Sequence, residues 1–130
     1  MTGQSARILF VEDDAPIRLL IEDTLQEAGY AVEAAGTVAG GRSLLDAGTY
    51  DLLLTDGRLP NGSGFSLAAE AAAKGVRVLI YTGYIYEYPE EERARFTVLA
   101  KPLRLAQLLQ SIGSSLLNTP IRPEARRCMG

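Results

Sequence analysis

The chain has 130 residues, of which 47% are hydrophobic and 22% are charged, the composition of an ordinary globular protein of about one domain. No unbroken apolar run approaches the ~18 residues of a membrane span, and a net charge of −3 does not suggest a nucleic-acid-binding surface. The chain has no histidine, which excludes histidine-based acid–base catalysis, histidine metal ligands and a phosphohistidine carrier.

Two features of the chain ends predict a cytoplasmic protein. Residues 1–5 lack the basic and apolar regions of a signal peptide. Cys128 is the single cysteine and cannot form a disulfide within the chain.

Strand-like apolar runs alternate with stretches of helical periodicity. The first half of the chain is predicted to form a strand at 7–11, a helix from an Asp14 cap to Gly29, a strand at 30–34, a helix at 38–47 and a strand at 51–55. The second half is predicted to form a helix from a Ser63 cap to Lys74, a strand at 77–81, a short helix at 89–95, a strand at 97–100 and a helix whose apolar stripe runs from Leu105 to Leu117.

This alternation predicts an α/β fold, with a parallel sheet covered by helices on both faces and joined by right-handed crossovers. Four of the strands are near-continuous apolar runs, as expected when both faces are covered, whereas the weaker strand at 30–34 suits an edge. Residues 6–117 are predicted to form one domain, with flexible ends at 1–5 and 118–130.

Polar residues follow four of the predicted strands. They are Glu12, Asp13 and Asp14 after the first strand, Asp56 after the third, Thr82 after the fourth, and Lys101 after the fifth. The carboxyl ends of parallel strands face one crevice, so these side chains are expected to meet there. Carboxylates, a hydroxyl and an ammonium group in one crevice suit a divalent metal ion and a phosphoryl group.

The carboxylates of Glu12, Asp13 and Asp56 would repel one another, and a bound cation would relieve that repulsion. Oxygen ligands of this kind suit Mg²⁺, or Mn²⁺ in its place, and the backbone carbonyl of Arg58 is a further candidate ligand. Asp56 can itself act as a nucleophile toward phosphorus.

Three groups are candidates to stabilise the oxygens of a transferred phosphoryl group. They are the ammonium of Lys101, the hydroxyl of Thr82 and the backbone N–H of Gly83.

These motifs, in this order and spacing, resemble the receiver domains of two-component response regulators, the CheY-like proteins, over residues 6–117. The matching residues are Glu12-Asp13, Asp56, Pro60, Gly64, Thr82 and Lys101-Pro102. The resemblance implies a flavodoxin-like doubly wound (βα)5 fold, whose five-stranded parallel sheet has the order 2-1-3-4-5.

The resemblance also implies roles for the matching residues. Asp56 would accept a phosphoryl group from a sensor histidine kinase or a histidine phosphotransfer protein, while Glu12 and Asp13 hold Mg²⁺. Thr82 would be the switch hydroxyl, and Lys101 would contact the phosphate. The bond between Lys101 and Pro102 is a candidate cis peptide, at the small energetic cost of an X–Pro bond.

The chain departs from the usual receiver pattern in three places. Val98 stands where receivers usually carry an aromatic switch residue. Thr82-Gly83-Tyr84 resembles the signature of the "FATGUY" type of stand-alone receivers, in which case Tyr84 would gate the site or replace the missing aromatic. The segment between Thr82 and Lys101 is also shorter than in typical receivers, which predicts a small fourth helix.

The function predicted from these residues is that of a single-domain response regulator. It would be a phosphoacceptor rather than an enzyme, assisting its own Mg²⁺-dependent phosphorylation and dephosphorylation. It would signal through an unknown downstream protein, or serve as a relay or phosphate sink, as a monomer or weak homodimer.

Three alternatives remain open. A pseudo-receiver, which would bind partners without phosphorylation, is favoured by Val98 and the short fourth helix. A haloacid-dehalogenase-type phosphohydrolase would need an acid where Arg58 stands. A flavodoxin-like flavin protein would place its phosphate against an acidic loop.

Several residues also have plainer interpretations. The acidic run at 12–14 suits a helix N-terminus, and Asp14 favours a cap over a metal ligand. Glu90-Glu91-Glu92 suits a solvated helix start, and Arg126-Arg127 a solvated tail. The tyrosines at 81, 84, 86 and 88 fit either partial core burial or a partner-binding face.

Overall fold

The computed structural model of the chain describes residues 6–60, 62–83, 90–102 and 104–117. Five parallel strands form the central sheet, namely β1 (Arg7–Val11), β2 (Ala31–Ala35), β3 (Leu52–Asp56), β6 (Arg77–Thr82) and β7 (Thr97–Ala100). Their order is β2-β1-β3-β6-β7, which confirms the predicted order 2-1-3-4-5 of the five main strands. Two further strands, β4 (Arg58–Leu59) and β5 (Gly62–Ser63), pair antiparallel in a separate small sheet.

Helices cover both faces of the central sheet. They are α1 (Ala15–Glu27), α2 (Val38–Ala47), α3 (Gly64–Ala73), α4 (Glu90–Arg95) and α5 (Leu105–Leu117). Apolar residues of α1 and α5 pack on one face, and those of α2 and α3 pack on the other. None of the helices within the described ranges is long and apolar enough to cross a membrane.

The alternation of side chains along each strand divides the core into two layers. In β1, Ile8 and Phe10 point toward α1 and α5, whereas Leu9 and Val11 point toward α2 and α3. All of them are fully buried, which explains why this strand is apolar without interruption. Each such side chain stabilises the fold by roughly 2 kcal/mol relative to an exposed one.

Helix ends follow the local signals in the sequence. The side chain of Asp14 accepts a hydrogen bond from the Ile17 N–H at 3.1 Å, and that of Ser63 accepts one from the Phe65 N–H at 3.0 Å, so both predicted caps are confirmed. Gly29 follows α1 with a φ of 101°, a left-handed conformation that glycine adopts without strain.

The structure differs from the sequence prediction at several boundaries. Strands β2 and β3 begin and end one residue later than predicted, and the segment after Asp56 contains β4 and β5 where only a loop was expected. A hydrogen bond from the Gly64 N–H to the Gly57 carbonyl, 3.0 Å long, closes this small sheet against the end of β3.

Two helices, α1 and α5, carry apolar residues that the core does not cover. Only Ile21 and Leu25 of α1 are buried, and Leu20 is 54% exposed. Leu117 was predicted to end the apolar stripe of α5, but it is 86% exposed and lies outside the core. Helical periodicity identifies the inward face, but the extent of the sheet beneath the helix decides which turns are covered.

Some predictions concern residues outside the described ranges. These are the ends at 1–5 and 118–130, including Arg126-Arg127, and the tyrosines at 84, 86 and 88.

Candidate functional site

The carboxyl edge of the central sheet carries an acidic pocket of about 450 Å³. Its lining includes Glu12, Asp13, Asp14, Asp56 and Lys101. Glu12 and Asp13 follow β1, Asp56 ends β3 and Lys101 follows β7, so the parallel topology brings together residues from three separate parts of the chain.

Three carboxylates of this pocket stand close together. Oxygen atoms of Glu12, Asp13 and Asp56 lie within 4.8 Å of one another. Glu12 and Asp56 are buried, whereas Asp13 is exposed. Hard, charged oxygen donors at this separation fit Mg²⁺ or Mn²⁺, and the exposed side of the cluster leaves room for water ligands.

Asp56 is held at both carboxylate oxygens. Oδ1 accepts a hydrogen bond from the backbone N–H of Arg58 at 3.1 Å, and Oδ2 accepts one from the Lys101 ammonium at 2.8 Å. The first contact places the start of β4 directly beside the carboxylate, so the backbone of Arg58 lies next to the site.

Gly64 allows the chain to pass close behind Asp56. A Cβ atom at position 64 would stand 1.9 Å from the carbonyl oxygen of Asp56, a separation that real atoms do not tolerate. The motif resemblance singles out Gly64, but this packing reason is visible only in the structure.

Lys101 brings a cation into contact with the carboxylates of the acidic pocket. Its Nζ atom lies 2.8 Å from Oδ2 of Asp56, 3.6 Å from Oε1 of Glu12 and 4.5 Å from the ring centre of Tyr81. Burial opposes its charge, but the hydrogen bond and charge of Asp56, followed by those of Glu12, raise the pKa of Lys101 above its ordinary value. The side chain is therefore a firmly charged ammonium group.

Thr82 and Gly83 lie where β6 meets Lys101. Thr82 is fully buried, and its carbonyl accepts a hydrogen bond from the backbone N–H of Lys101 at 2.9 Å. A Cβ atom at Gly83 would stand 4.0 Å from the Cβ of Lys101. The peptide bond between Lys101 and Pro102 is cis.

Val98 packs on the face of the sheet that α3 covers. It is partly buried against a small cluster formed by Phe65, Ala68 and Ile80, together with Phe96. Tyr84, the other candidate gate, lies outside the described residues.

The loop that carries Glu12 and Asp13 is fixed by contacts with α1. Nη1 of Arg18 donates a hydrogen bond to the carbonyl of Glu12 at 2.8 Å, and the N–H of Asp14 donates to Oε2 of Glu12 at 3.1 Å. Sequence reasoning did not identify Arg18, because an arginine six residues after a site residue carries no distinctive local pattern.

For Tyr81, core burial is confirmed as the correct one of the two interpretations that the sequence left open. Tyr81 is only 4% exposed, and its hydroxyl donates a hydrogen bond to Oε1 of Glu12. Burial, together with the hydrogen bond to Glu12, raises the pKa of Tyr81. Strand alternation could have indicated its position, because residue 81 points to the same face of the sheet as Phe10.

Comparison with known proteins identifies the family of this arrangement. The family model of the response regulator receiver domain matches residues 8–113. The chain belongs to this family. It is 31% identical over 116 residues to the response regulator receiver protein CpdR of Brucella abortus, a match that covers 85% of this chain and 97% of CpdR. The chain spans only 26% of another relative, the DNA-binding transcriptional regulator NtrC of Rhizobium meliloti.

Solved structures of receivers have the same fold. A CheY-like receiver domain protein from Methanospirillum hungatei superposes with a TM-score of 0.80 at 28% identity, covering 88% of this chain and 96% of that one. The response regulator TrrA of Thermotoga maritima, crystallised in complex with Mg²⁺–BeF, superposes with a TM-score of 0.76 at 26% identity. That match covers 84% of this receiver and 97% of TrrA.

Proposed function

We propose that this receiver accepts a phosphoryl group on Asp56 from the phosphohistidine of a sensor kinase or phosphotransfer protein, and signals by binding a downstream protein. The observation that carries the proposal is the setting of Asp56. Its buried carboxylate lies between the Arg58 N–H and the Lys101 ammonium, with two further carboxylates close enough to share a cation.

In the proposed reaction, an oxygen of Asp56 forms a bond to phosphorus as the P–N bond of the donor phosphohistidine breaks. The electron pair of the broken bond stays on the imidazole nitrogen. The Lys101 ammonium, already in contact with Asp56, moves its hydrogen bond to an oxygen of the incoming phosphoryl group. Thr82 and Gly83 lie beside Lys101 and supply a hydroxyl and an N–H as further donors.

Glu12, Asp13 and Asp56, with the backbone carbonyl of Arg58, would hold Mg²⁺ or Mn²⁺ in the acidic pocket. Such an ion neutralises negative charge on the phosphoryl oxygens. The Mg²⁺–BeF complex of TrrA, a relative with the same fold, supports this assignment.

Phosphorylation would favour one of two receiver conformations through the contacts of Lys101 and Thr82 with the phosphoryl group. The new conformation would then be recognised by the downstream protein. We further propose that the receiver acts as a monomer or weak homodimer in the cytoplasm.

Two observations favour the pseudo-receiver as the second candidate. Val98 packs in an apolar cluster and is not the aromatic switch residue that receivers usually carry at this position. Helix α4 has only six residues. A pseudo-receiver would bind its partner in the same way whether or not Asp56 can be phosphorylated.

The deciding experiment is intact-mass spectrometry after incubation with a small phosphodonor, with and without Mg²⁺. We expect one added phosphoryl group on the wild-type protein only when Mg²⁺ is present, and none on Asp56→Asn. Asp51→Asn is the matched control, because Asp51 is an exposed carboxylate just before the opposite end of the same strand. No adduct on the wild-type protein, while a known receiver is labelled in parallel, would favour the pseudo-receiver.

A further inference from the structure

Tyr81 is a buried residue that contacts two charged groups of the acidic pocket, Glu12 and Lys101. Its hydroxyl donates a hydrogen bond to Oε1 of Glu12, and its ring centre lies 4.5 Å from Nζ of Lys101. The ring also stacks on Phe10, with ring centres 6.4 Å apart and planes inclined by 25°. One buried side chain therefore joins a carboxylate, an ammonium group and the core.

The Tyr81 side chain approaches Glu12 from outside the acidic pocket, where a metal ion would bind. Tyr81 lines a separate, largely apolar groove between α1 and α5, together with Ile17, Leu20 and Pro102. Glu12 lines the acidic pocket, and Lys101 lines both cavities. The hydroxyl thus reaches Glu12 from the groove side, so it does not take up space in the acidic pocket itself.

Glu12 has limited freedom within this arrangement. It is only 1% exposed, its Oε2 atom accepts the N–H of Asp14, and its Oε1 atom accepts the Tyr81 hydroxyl. A buried carboxylate that loses one of its donors is poorly satisfied and can rotate away from its neighbours. The Tyr81 hydroxyl opposes this rotation, together with the Lys101 ammonium 3.6 Å from Oε1.

We propose that Tyr81 is a positioning residue of the phosphorylation site. Its hydroxyl fixes the carboxylate of Glu12 for metal binding, and its ring supports the Lys101 ammonium beside Asp56. This inference rests on the proposed function, because it requires a metal ion in the acidic pocket. The two parts of the side chain have separable tasks, the hydroxyl acting on the metal site and the ring acting on the cation.

Two substitutions separate these tasks. Tyr81→Phe keeps the ring and removes the hydroxyl, so we expect Mg²⁺ to bind about tenfold more weakly, the lower end of the effect of losing a hydrogen bond to a metal ligand. The Mg²⁺ concentration that gives half of the maximal phosphorylation rate should rise by the same factor. Tyr81→Leu also removes the ring, and we expect the maximal rate to fall roughly twofold to fivefold, as for loss of a cation–π contact.

The matched control is Tyr50→Phe. Tyr50 also donates a hydrogen bond to a glutamate, Glu33, but this pair lies away from the acidic pocket. The Tyr50→Phe variant therefore loses the same kind of hydrogen bond without affecting the metal site. Both phenylalanine variants should lower the melting temperature, but only Tyr81→Phe should reduce the extra stability that Mg²⁺ confers.

Mg²⁺ affinity is measured by following the amide resonances of Gly57 and Gly83 during a Mg²⁺ titration, which reports binding without any phosphorylation. Weaker binding in Tyr81→Phe, with Tyr50→Phe unchanged, supports the inference. Unchanged or tighter binding in Tyr81→Phe, beside normal binding by the wild-type protein, overturns the inference and leaves the proposed function intact. A wild-type protein that binds no Mg²⁺ overturns both.

Discussion

The ammonium nitrogen of Lys101 lies 2.8 Å from Oδ2 of Asp56, although the two residues are 45 positions apart in the chain. The same nitrogen is 3.6 Å from Glu12, so Lys101 offsets part of the negative charge of the acidic pocket. The Lys101 ammonium therefore competes with a metal ion for the carboxylates. It is also close enough to Asp56 to contact a phosphoryl group bound there.

This competition predicts opposite effects of Lys101→Met on the two ligands of the site. Removing the ammonium leaves the carboxylates more negative, so Mg²⁺ should bind more tightly by roughly 1 kcal/mol, about fivefold. The rate of phosphorylation should nevertheless fall, because a phosphoryl oxygen loses its cationic partner. A Mg²⁺ titration and a phosphorylation time course measure the two effects.

The control for this experiment is Lys74→Met. Lys74 pairs with Asp46 at 3.0 Å on the exposed surface, where an ion pair contributes little. Both measurements should stay at their wild-type values. A fall in Mg²⁺ affinity in Lys101→Met would show that the lysine orders the carboxylates rather than competing for them.

Gly64→Ala should destabilise the protein and disturb Asp56. The added Cβ atom would stand 1.9 Å from the Asp56 carbonyl, so the backbone at the end of β3 must move. We expect a loss of about 2 kcal/mol or more in the free energy of unfolding, together with slower phosphorylation. Urea unfolding and the intact-mass assay measure these effects.

Gly113→Ala is the matched comparison for Gly64→Ala. Gly113 lies inside α5, and an added Cβ atom there meets nothing within 4 Å. Alanine is the better helix former, so this variant should gain roughly 0.5–1 kcal/mol. Equal effects of the two substitutions would contradict the assigned role of the Gly64 backbone.

The raised pKa of Tyr50 predicts that the protein loses stability at alkaline pH. Burial, followed by the hydrogen bond to Glu33, raises the pKa of Tyr50 from 10.0 to about 12. Because the pKa is higher in the folded state, the stabilising contribution is complete below pH 10 and is lost as the pH rises from 10 to about 12.

Urea unfolding at stepped pH tests this prediction. Between pH 10 and 12, the wild-type protein should lose on the order of 1 kcal/mol more stability than Tyr50→Phe, a value reduced because Glu33 is half exposed to solvent. Parallel curves for the two proteins would show that Tyr50 titrates alike in both states.

Most of the fold was predictable because its signals are local. The helix cap at Asp14 depends on an N–H three residues later, and the end of α1 depends on the conformation of Gly29. Burial of a strand on both faces leaves an unbroken apolar run, which is visible in β1 and β3. The pair β4–β5 was missed because its two-residue strands carry no periodicity.

The position of the site was predictable in outline for a different reason. In a parallel sheet, any residue that directly follows a strand reaches the same edge, so strand ends alone indicated Glu12, Asp56 and Lys101. The pattern does not indicate which atoms touch. The 2.8 Å contact of Lys101 with Asp56, and the engagement of both Asp56 oxygens, depend on strand register and twist.

The sequence by itself determined the order of the elements, the sheet edge at which the charged residues meet and the family to which the chain is similar. Only the tertiary structure decided that the Tyr81 hydroxyl is bonded to Glu12, 69 positions away, and that Gly64 passes against the Asp56 carbonyl. Periodicity and capping involve neighbours a few residues apart, so a pattern records them. Contacts between distant strands depend on how whole layers pack, and no local pattern records that packing.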